Sequence, residues 1–246
     1  MITDLTNIIK SSVPFNHYII DNFFDEEVAR KLSQEFLSFD SDVWYQYNNQ
    51  IEKKRAMADW GKFPKQTYSV ISYLCSPEFI DIVKDITGIT SLYADPGLHG
   101  GGWHMSSRGG KLNIHKDYSI HPRVDPPRQR KINLIVYLTE NWNPEWGGAL
   151  EFWSHDEKKN KPLKKMVEVP CLFNKAVLFD TTQNSWHGLP DEIQCPEDVH
   201  RKSIAVYYLT DINNTAEDRQ RALFAPYKEQ ENDAELLNFI KKRCQV

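Results

Sequence analysis

Leu112-Asn113-Ile114-His115-Lys116-Asp117 is the stretch whose reading decides the fold. In an extended segment alternate side chains share a face, so Asn113, His115 and Asp117 point one way and Leu112, Ile114 and Lys116 the other. An imidazole and a carboxylate two residues apart on one strand can then reach the same metal ion. Alone the tripeptide is weak evidence, because eight histidines and eighteen aspartates in 246 residues give an His-x-Asp roughly 0.6 times by chance. The surrounding chain has to supply the specificity.

From about residue 90 that chain reads as short strands separated by Gly, Pro and Asn. Residues Lys131 to Leu138, Ala149 to Trp153, Ala176 to Phe179 and Ser203 to Leu209 are rich in β-branched and aromatic side chains. They predict a sandwich or barrel, with Gly147-Gly148 after Asn143-Pro144-Glu145-Trp146 as a tight turn. The first ninety residues predict helices around one early strand at 17–24. Asp25-Glu26-Glu27 places acids at a helix start, followed by Val28, Leu32 and Phe36 at four-residue spacing. Ser76-Pro77-Glu78 starts a second helix, whose apolar face is Phe79, Ile82, Val83 and Ile86 and whose stop is Gly88. Residues 40–70 are polar and aromatic, and no pattern there places a strand. After Thr210 the chain turns charged and helical, ending in Lys241, Lys242 and Arg243, which suit a helix C-terminus. The expected organisation is a single domain over 1–246: a helical flank at 1–90, a β core at 91–212 and a helical tail at 213–246.

Composition narrows the function classes. Apolar residues make up 40% and aromatics 12%, enough for a sizeable core, and no run approaches the length of a membrane helix. The N-terminus lacks a basic start followed by a long apolar run, so a cytoplasmic setting is expected. Cys75, Cys171, Cys195 and Cys244 are widely spaced, which predicts free thiols rather than a disulfide framework or zinc site. A net charge of −4 gives no reason to expect nucleic acid or an anionic membrane as partner.

A third metal ligand has to come from downstream, where His155, His187 and His200 are the candidates. His187 is favoured, since it follows a strand through a polar turn and precedes Gly188, whereas His155 sits in a charged stretch. Two imidazoles and one carboxylate can hold one face of an iron(II) ion and leave other positions open. Arg201 opens the last strong strand and shares its face with Ser203, Ala205 and Tyr207. A guanidinium beside small residues can take a carboxylate through paired hydrogen bonds. Tyr137 adds a phenolic hydroxyl, and Asn133 lies on the same face of its strand. These groups suit a dicarboxylate. Residues 118–130, with three prolines and three arginines, read as a lid or as a solvated loop.

In the order Gly100-Gly101-Gly102-Trp103-His104, Leu112 to Asp117, Tyr137-Leu138-Thr139-Glu140-Asn141-Trp142, Gly147-Gly148-Ala149-Leu150, Trp186-His187-Gly188 and Arg201-Lys202-Ser203, the chain resembles an iron(II)- and 2-oxoglutarate-dependent oxygenase of the prolyl 4-hydroxylase-like type. The resemblance covers roughly residues 90–212. It implies a double-stranded β-helix, a jelly-roll or cupin-like core, within a mainly β fold flanked by helices. It also implies His115, Asp117 and His187 as iron ligands, Arg201 as partner of the distal 2-oxoglutarate carboxylate, and Tyr137 beside it. Where the family often has a tyrosine about ten residues before the first ligand, this chain reads Trp103-His104-Met105, making His104 the replacement; Ser203 completes the cosubstrate set. The implied reaction consumes dioxygen and 2-oxoglutarate, with ascorbate as reductant, and releases succinate and carbon dioxide. Asp117 favours hydroxylation, since related halogenases carry a small residue there. The implied substrate is a peptidyl or free amino acid. A non-amino-acid small molecule is the alternative within the class, and a non-catalytic metal-binding barrel the alternative outside it.

Overall fold

The computed structural model describes residues 1–3, 5, 7–214 and 216–244. The chain opens with the hairpin β1 (Ile8–Ser11) and β2 (His17–Ile20), then α1 (Glu26–Glu35), a second hairpin β3 (Tyr45–Asn48) and β4 (Glu52–Met57), and the helices α2 (Lys65–Leu74) and α3 (Pro77–Thr87). There follow β5 (Tyr93–Ala94), β6 (Gly102–Ser106), β7 (Lys111–Lys116), β8 (Gln129–Tyr137), β9 (Leu150–Asp156), β10 (Lys161–Val169), β11 (Ala176–Asp180), β12 (Trp186–Leu189), β13 (Arg201–Thr210), β14 (Leu223–Phe224) and α4 (Ala234–Cys244). Neighbours in the sheet run β1-β2-β11-β8-β13-β6-β4-β7-β12-β9-β10, with β3 on β4, β5 on β13 and β14 on β7. The main pairings, such as β8 with β13 and β7 with β12, are antiparallel. This curled sheet is the mainly β, double-stranded β-helix expected from the sequence.

Local chemistry explains most helix limits. Acidic Glu26 and Glu27 open α1, which buries Ala29, Leu32 and Ser33. Ser76 Oγ accepts from the Phe79 amide at 3.3 Å at the start of α3, and Gly88 ends it with φ 73. Helix α2 carries no cap of its own. Its first amides, at Gln66 and Thr67, donate to the Glu35 carboxylate at 2.9 and 2.6 Å, so its start is fixed by a residue some thirty positions earlier.

The stretch 1–90 departs from the helical flank expected of it, because four strands lie within it and β4 is inserted between β6 and β7. The reason is burial against polar surroundings. Glu52 and Lys54 of β4 face a polar cavity, so the strand shows no apolar alternation. Strand β10 was equally hidden, being a lysine-rich outer strand with Leu163 and Met166 exposed. The tail contributes β14 besides the expected helix α4.

Two apolar layers hold the sheet. Leu134 and Val136 of β8 and Ile204, Val206 and Tyr208 of β13 pack outward against Leu32, Val70, Leu74, Phe79 and Val83 of the helices. The Tyr208 hydroxyl also donates to the Leu74 carbonyl at 2.9 Å. Phe15, Tyr137, Leu150, Phe152, Val177, Phe179 and Ile193 form the second layer. All four cysteines are free, and no described helix is long and apolar enough to cross a membrane.

Gly102 starts β6 at φ 82, where a Cβ would lie 2.3 Å from the Met57 carbonyl oxygen of β4. Gly102→Ala is expected to cost about 3 kcal/mol or more, from backbone strain plus overpacking. The urea midpoint measures this, and an unchanged midpoint contradicts the close passage of β4 over β6.

Candidate active site

Strands β7 and β12 pair so that His187 stands opposite His115. The two rings lie 4.4 Å apart between centroids. Asp117 closes the group just past the end of β7: its Oδ1 is 3.7 Å from His115 Nε2 and its Oδ2 is 3.8 Å from His187 Nε2. One candidate ligand atom from each residue lies within 4.8 Å of the others, and all three side chains are buried. Gly188 allows this approach, since a Cβ there would lie 2.7 Å from the Leu112 carbonyl oxygen.

The orientation of each ring is fixed from behind. His115 Nδ1 lies 2.9 Å from the Asn113 carbonyl and His187 Nδ1 2.8 Å from the Ser185 carbonyl. A carbonyl only accepts, so each Nδ1 carries the hydrogen and each Nε2 turns a lone pair into the site. Burial pushes the His115 imidazole down to about 3, with His187 adding to the effect against the pull of Asp117. Burial lowers His187 as well. For Asp117 burial opposes ionisation, but the Arg130 guanidinium beside it outweighs this and holds the carboxyl below the usual carboxylate range. Two neutral nitrogens and one ionised oxygen are the donor set that suits iron(II) with positions left open. The other candidates stand apart from it. His155 Nδ1 accepts from the Trp186 indole at 2.9 Å, and His200 packs on Phe39 at 4.5 Å.

Arg201, Ser203, Ala205 and Tyr207 line one wall of a cavity of about 610 Å³, with the expected His104 and Asn133 reaching the same space, while Tyr137 lies buried behind Arg201. Arg201 Nε donates to the Gly148 carbonyl at 2.8 Å, and its guanidinium carbon sits 4.8 Å from the Tyr137 ring centre. Burial pushes the Tyr137 phenol up, and the Arg201 guanidinium beside it works against that rise. His104 pairs with Ser203 across the β6–β13 ladder. Burial, reinforced by Lys54 and Arg201, lowers His104 to about 3. Asn133 lies toward the other end of the wall. Its Nδ2 is 3.4 Å from Asp117 Oδ2, while its Oδ1 has no partner among the described residues.

Two cations escaped sequence reasoning. Arg130 is 2% exposed, with its Nη1 3.3 Å from Asp117 Oδ1 and its guanidinium carbon 3.5 Å and 3.3 Å from the ring centres of Tyr118 and Tyr207. Simple alternation along β8 puts Arg130 on the face of Ile132 and Leu134, away from the cavity. A register shift between Tyr208 and Leu209 makes Leu209 pair with Arg130, so Lys131 is the extra residue and Arg130 turns inward. Lys54 was hidden because β4 has no readable strand pattern. In the loop 118–130, Tyr118, Pro122 and Arg123 line the cavity, and the Ser119 and Ile120 amides donate to the Arg219 carbonyl.

Residues 101–218 match the model of the 2OG-Fe(II) oxygenase superfamily. The chain is 24% identical over 196 residues to prolyl 3-hydroxylase OGFOD1 of Mus musculus, covering 79% of this chain and 33% of that protein. It therefore spans about a third of that relative's length. Solved structures with the same fold include a Trichoplax adhaerens prolyl hydroxylase in complex with a hypoxia inducible factor peptide fragment, at TM-score 0.53 and 19% identity, covering 79% of this chain and 83% of that one. Another is HygX of Streptomyces hygroscopicus with nickel, 2-oxoglutarate and hygromycin B bound, at TM-score 0.52 and 13% identity, covering 79% and 82%.

The buried neutral imidazoles set a pH dependence for the metal-free protein. His104 and His115 each fall from about 6.5 unfolded to about 3 folded, so the unfolded chain binds more protons between those values. Their contribution is complete above 6.5 and is lost as pH falls toward 3, at up to about 1.4 kcal/mol per unit for each group. Asp117 adds loss only below its ordinary value of 3.8. The urea midpoint of metal-free protein is expected to drop steadily from pH 6.5 to 4.5, and a flat profile contradicts neutral burial.

Proposed function

We propose that this chain is an iron(II)- and 2-oxoglutarate-dependent hydroxylase that acts on an unactivated C–H bond of an amino acid residue, with proline in a peptide as the leading substrate. The observation that carries this reading is one cavity holding the His115, Asp117 and His187 group at one end and Arg201, backed by Tyr137, at the other. That spacing of a metal site and a carboxylate site suits a cosubstrate that chelates at one end and pairs with a cation at the other.

When bound, iron(II) and 2-oxoglutarate supply oxidation by dioxygen, with release of succinate and carbon dioxide and transfer of one oxygen atom to the substrate. The chain's own residues organise this chemistry. His115, Asp117 and His187 would hold the metal, the two imidazoles locked by the Asn113 and Ser185 carbonyls. Arg130 compensates the charge of Asp117 and restrains one of its oxygens. Arg201, clamped by the Gly148 carbonyl, takes the distal carboxylate, with Tyr137, Ser203 and His104 around it. Asn133 steadies the second Asp117 oxygen. Arg201, Ser203 and Tyr137 are buried, which strengthens these contacts over their value in water.

The mouth supports a peptide over a free metabolite. Pro122, Arg123, Gln220 and Arg221 are exposed along it, and Tyr45 adds an aromatic face that is 66% exposed. An open rim of this kind leaves room for chain on either side of the oxidised residue. The likeness to prolyl hydroxylases supports the same choice, and the HygX structure with hygromycin B keeps a small-molecule substrate as the second reading.

Purified protein given iron(II) and 2-oxoglutarate is expected to release succinate slowly without substrate and faster with a proline-bearing peptide. Asp117→Ala and His187→Ala should abolish release, and activity that survives a chelator contradicts the assignment. Arg201→Ala is expected to raise the 2-oxoglutarate requirement about tenfold or more at a similar limiting rate. An unchanged requirement contradicts the pairing.

A further inference from the structure

Arg201 has a companion at its end of the cavity. Across the β6–β13 ladder Arg201 pairs with Ser106, and on the other side of β6 the β4 ladder pairs Arg55 with Met105 and Ala56 with His104. Continuing that antiparallel register by one residue sets Lys54 beside Ser106. Lys54, Ser106 and Arg201 therefore form one row across three adjacent strands, and all three line the cavity. The next row is Ala56, His104, Ser203 and Tyr137. Neither row contains a carboxylate.

Among the described residues, the Lys54 ammonium has no hydrogen-bond or ion-pair partner. Its contact is the Tyr47 ring, 5.1 Å away at the centre. The carboxylate nearest in sequence, Glu52, is already bound by Arg243 at 3.2 Å. Burial pushes the Lys54 amine down; Glu52 and Asp117 resist this, and Arg243 and Arg201 add to it. A half-buried cation facing a second cation across a polar cavity is unfavourable unless an anion comes between them.

We propose that Lys54 is a second cation for the distal carboxylate of 2-oxoglutarate, facing Arg201 across the cradle formed by Ser106, His104, Ser203 and Tyr137. This rests on the oxygenase reading above and adds a binding residue from the β3–β4 hairpin, outside the matched family region 101–218. It makes the cradle selective for oxoacids with a second carboxylate. It also ties β4, and through it the β3–β4 hairpin, to cosubstrate binding.

The test is calorimetric titration of the full chain, loaded with manganese(II) under anaerobic conditions, with 2-oxoglutarate and with 2-oxobutyrate. The second acid keeps the chelating end and lacks the distal carboxylate. Lys54→Met and Lys54→Gln are expected to weaken 2-oxoglutarate about tenfold or more while leaving 2-oxobutyrate within about twofold, and Lys54→Arg to restore most of the loss. Equal weakening of both acids, or no weakening of either, overturns the proposal and assigns Lys54 to the substrate side or to the fold. Wild-type protein that binds neither acid in the presence of metal overturns the oxygenase reading itself.

Discussion

The pairing of His115 with His187 across the β7–β12 ladder is the constraint on which the rest of the site depends. One register step in either direction turns one imidazole out of the cavity, because side chains alternate along a strand. Fixing that register takes the backbone contact at Gly188, the pairing of β12 with β9 on its far side, and the carbonyls of Asn113 and Ser185 behind the rings. Asp117 then needs no separate scaffold. It follows His115 on the same face and arrives at the ion because the imidazole does.

Electrostatics complete what the ladder begins. Three titratable groups buried within 4.8 Å of one another are costly unless their charges are arranged. Here burial keeps His115 and His187 neutral, while Arg130, sandwiched between Tyr118 and Tyr207, keeps Asp117 ionised. The donor set is thus ready for a cation. The opposite end of the cavity carries the reverse charge, with Arg201 and Lys54 and no carboxylate in their rows. A ligand that is anionic at both ends and chelating at one bridges the two.

The sequence made the triad legible because its signals are local and its residue types scarce. His-x-Asp on an extended run shares one face, and a second histidine before a glycine at a strand end is rare enough to single out. Arg201 was legible for the same reason, as a charge at the start of a strand whose next inward positions are Ser203 and Ala205. Arg130 was not, because a bulge at Lys131 reverses the alternation on which such a reading relies. Lys54 was not, because β4 trades apolar alternation for a polar lining, and α2 was hidden because Glu35 caps it from outside. Each miss is a place where a distant partner, rather than the local pattern, decides the structure.

The central claim is that the metal group and the cationic end belong to one binding event, and reciprocal linkage tests it most directly. Equilibrium titration of metal with and without 2-oxoglutarate measures whether each ligand strengthens the other. The account predicts one divalent ion per chain, bound more tightly when 2-oxoglutarate is present, and 2-oxoglutarate bound more tightly by the same factor when the ion is present. Metal affinity that is indifferent to 2-oxoglutarate would contradict it.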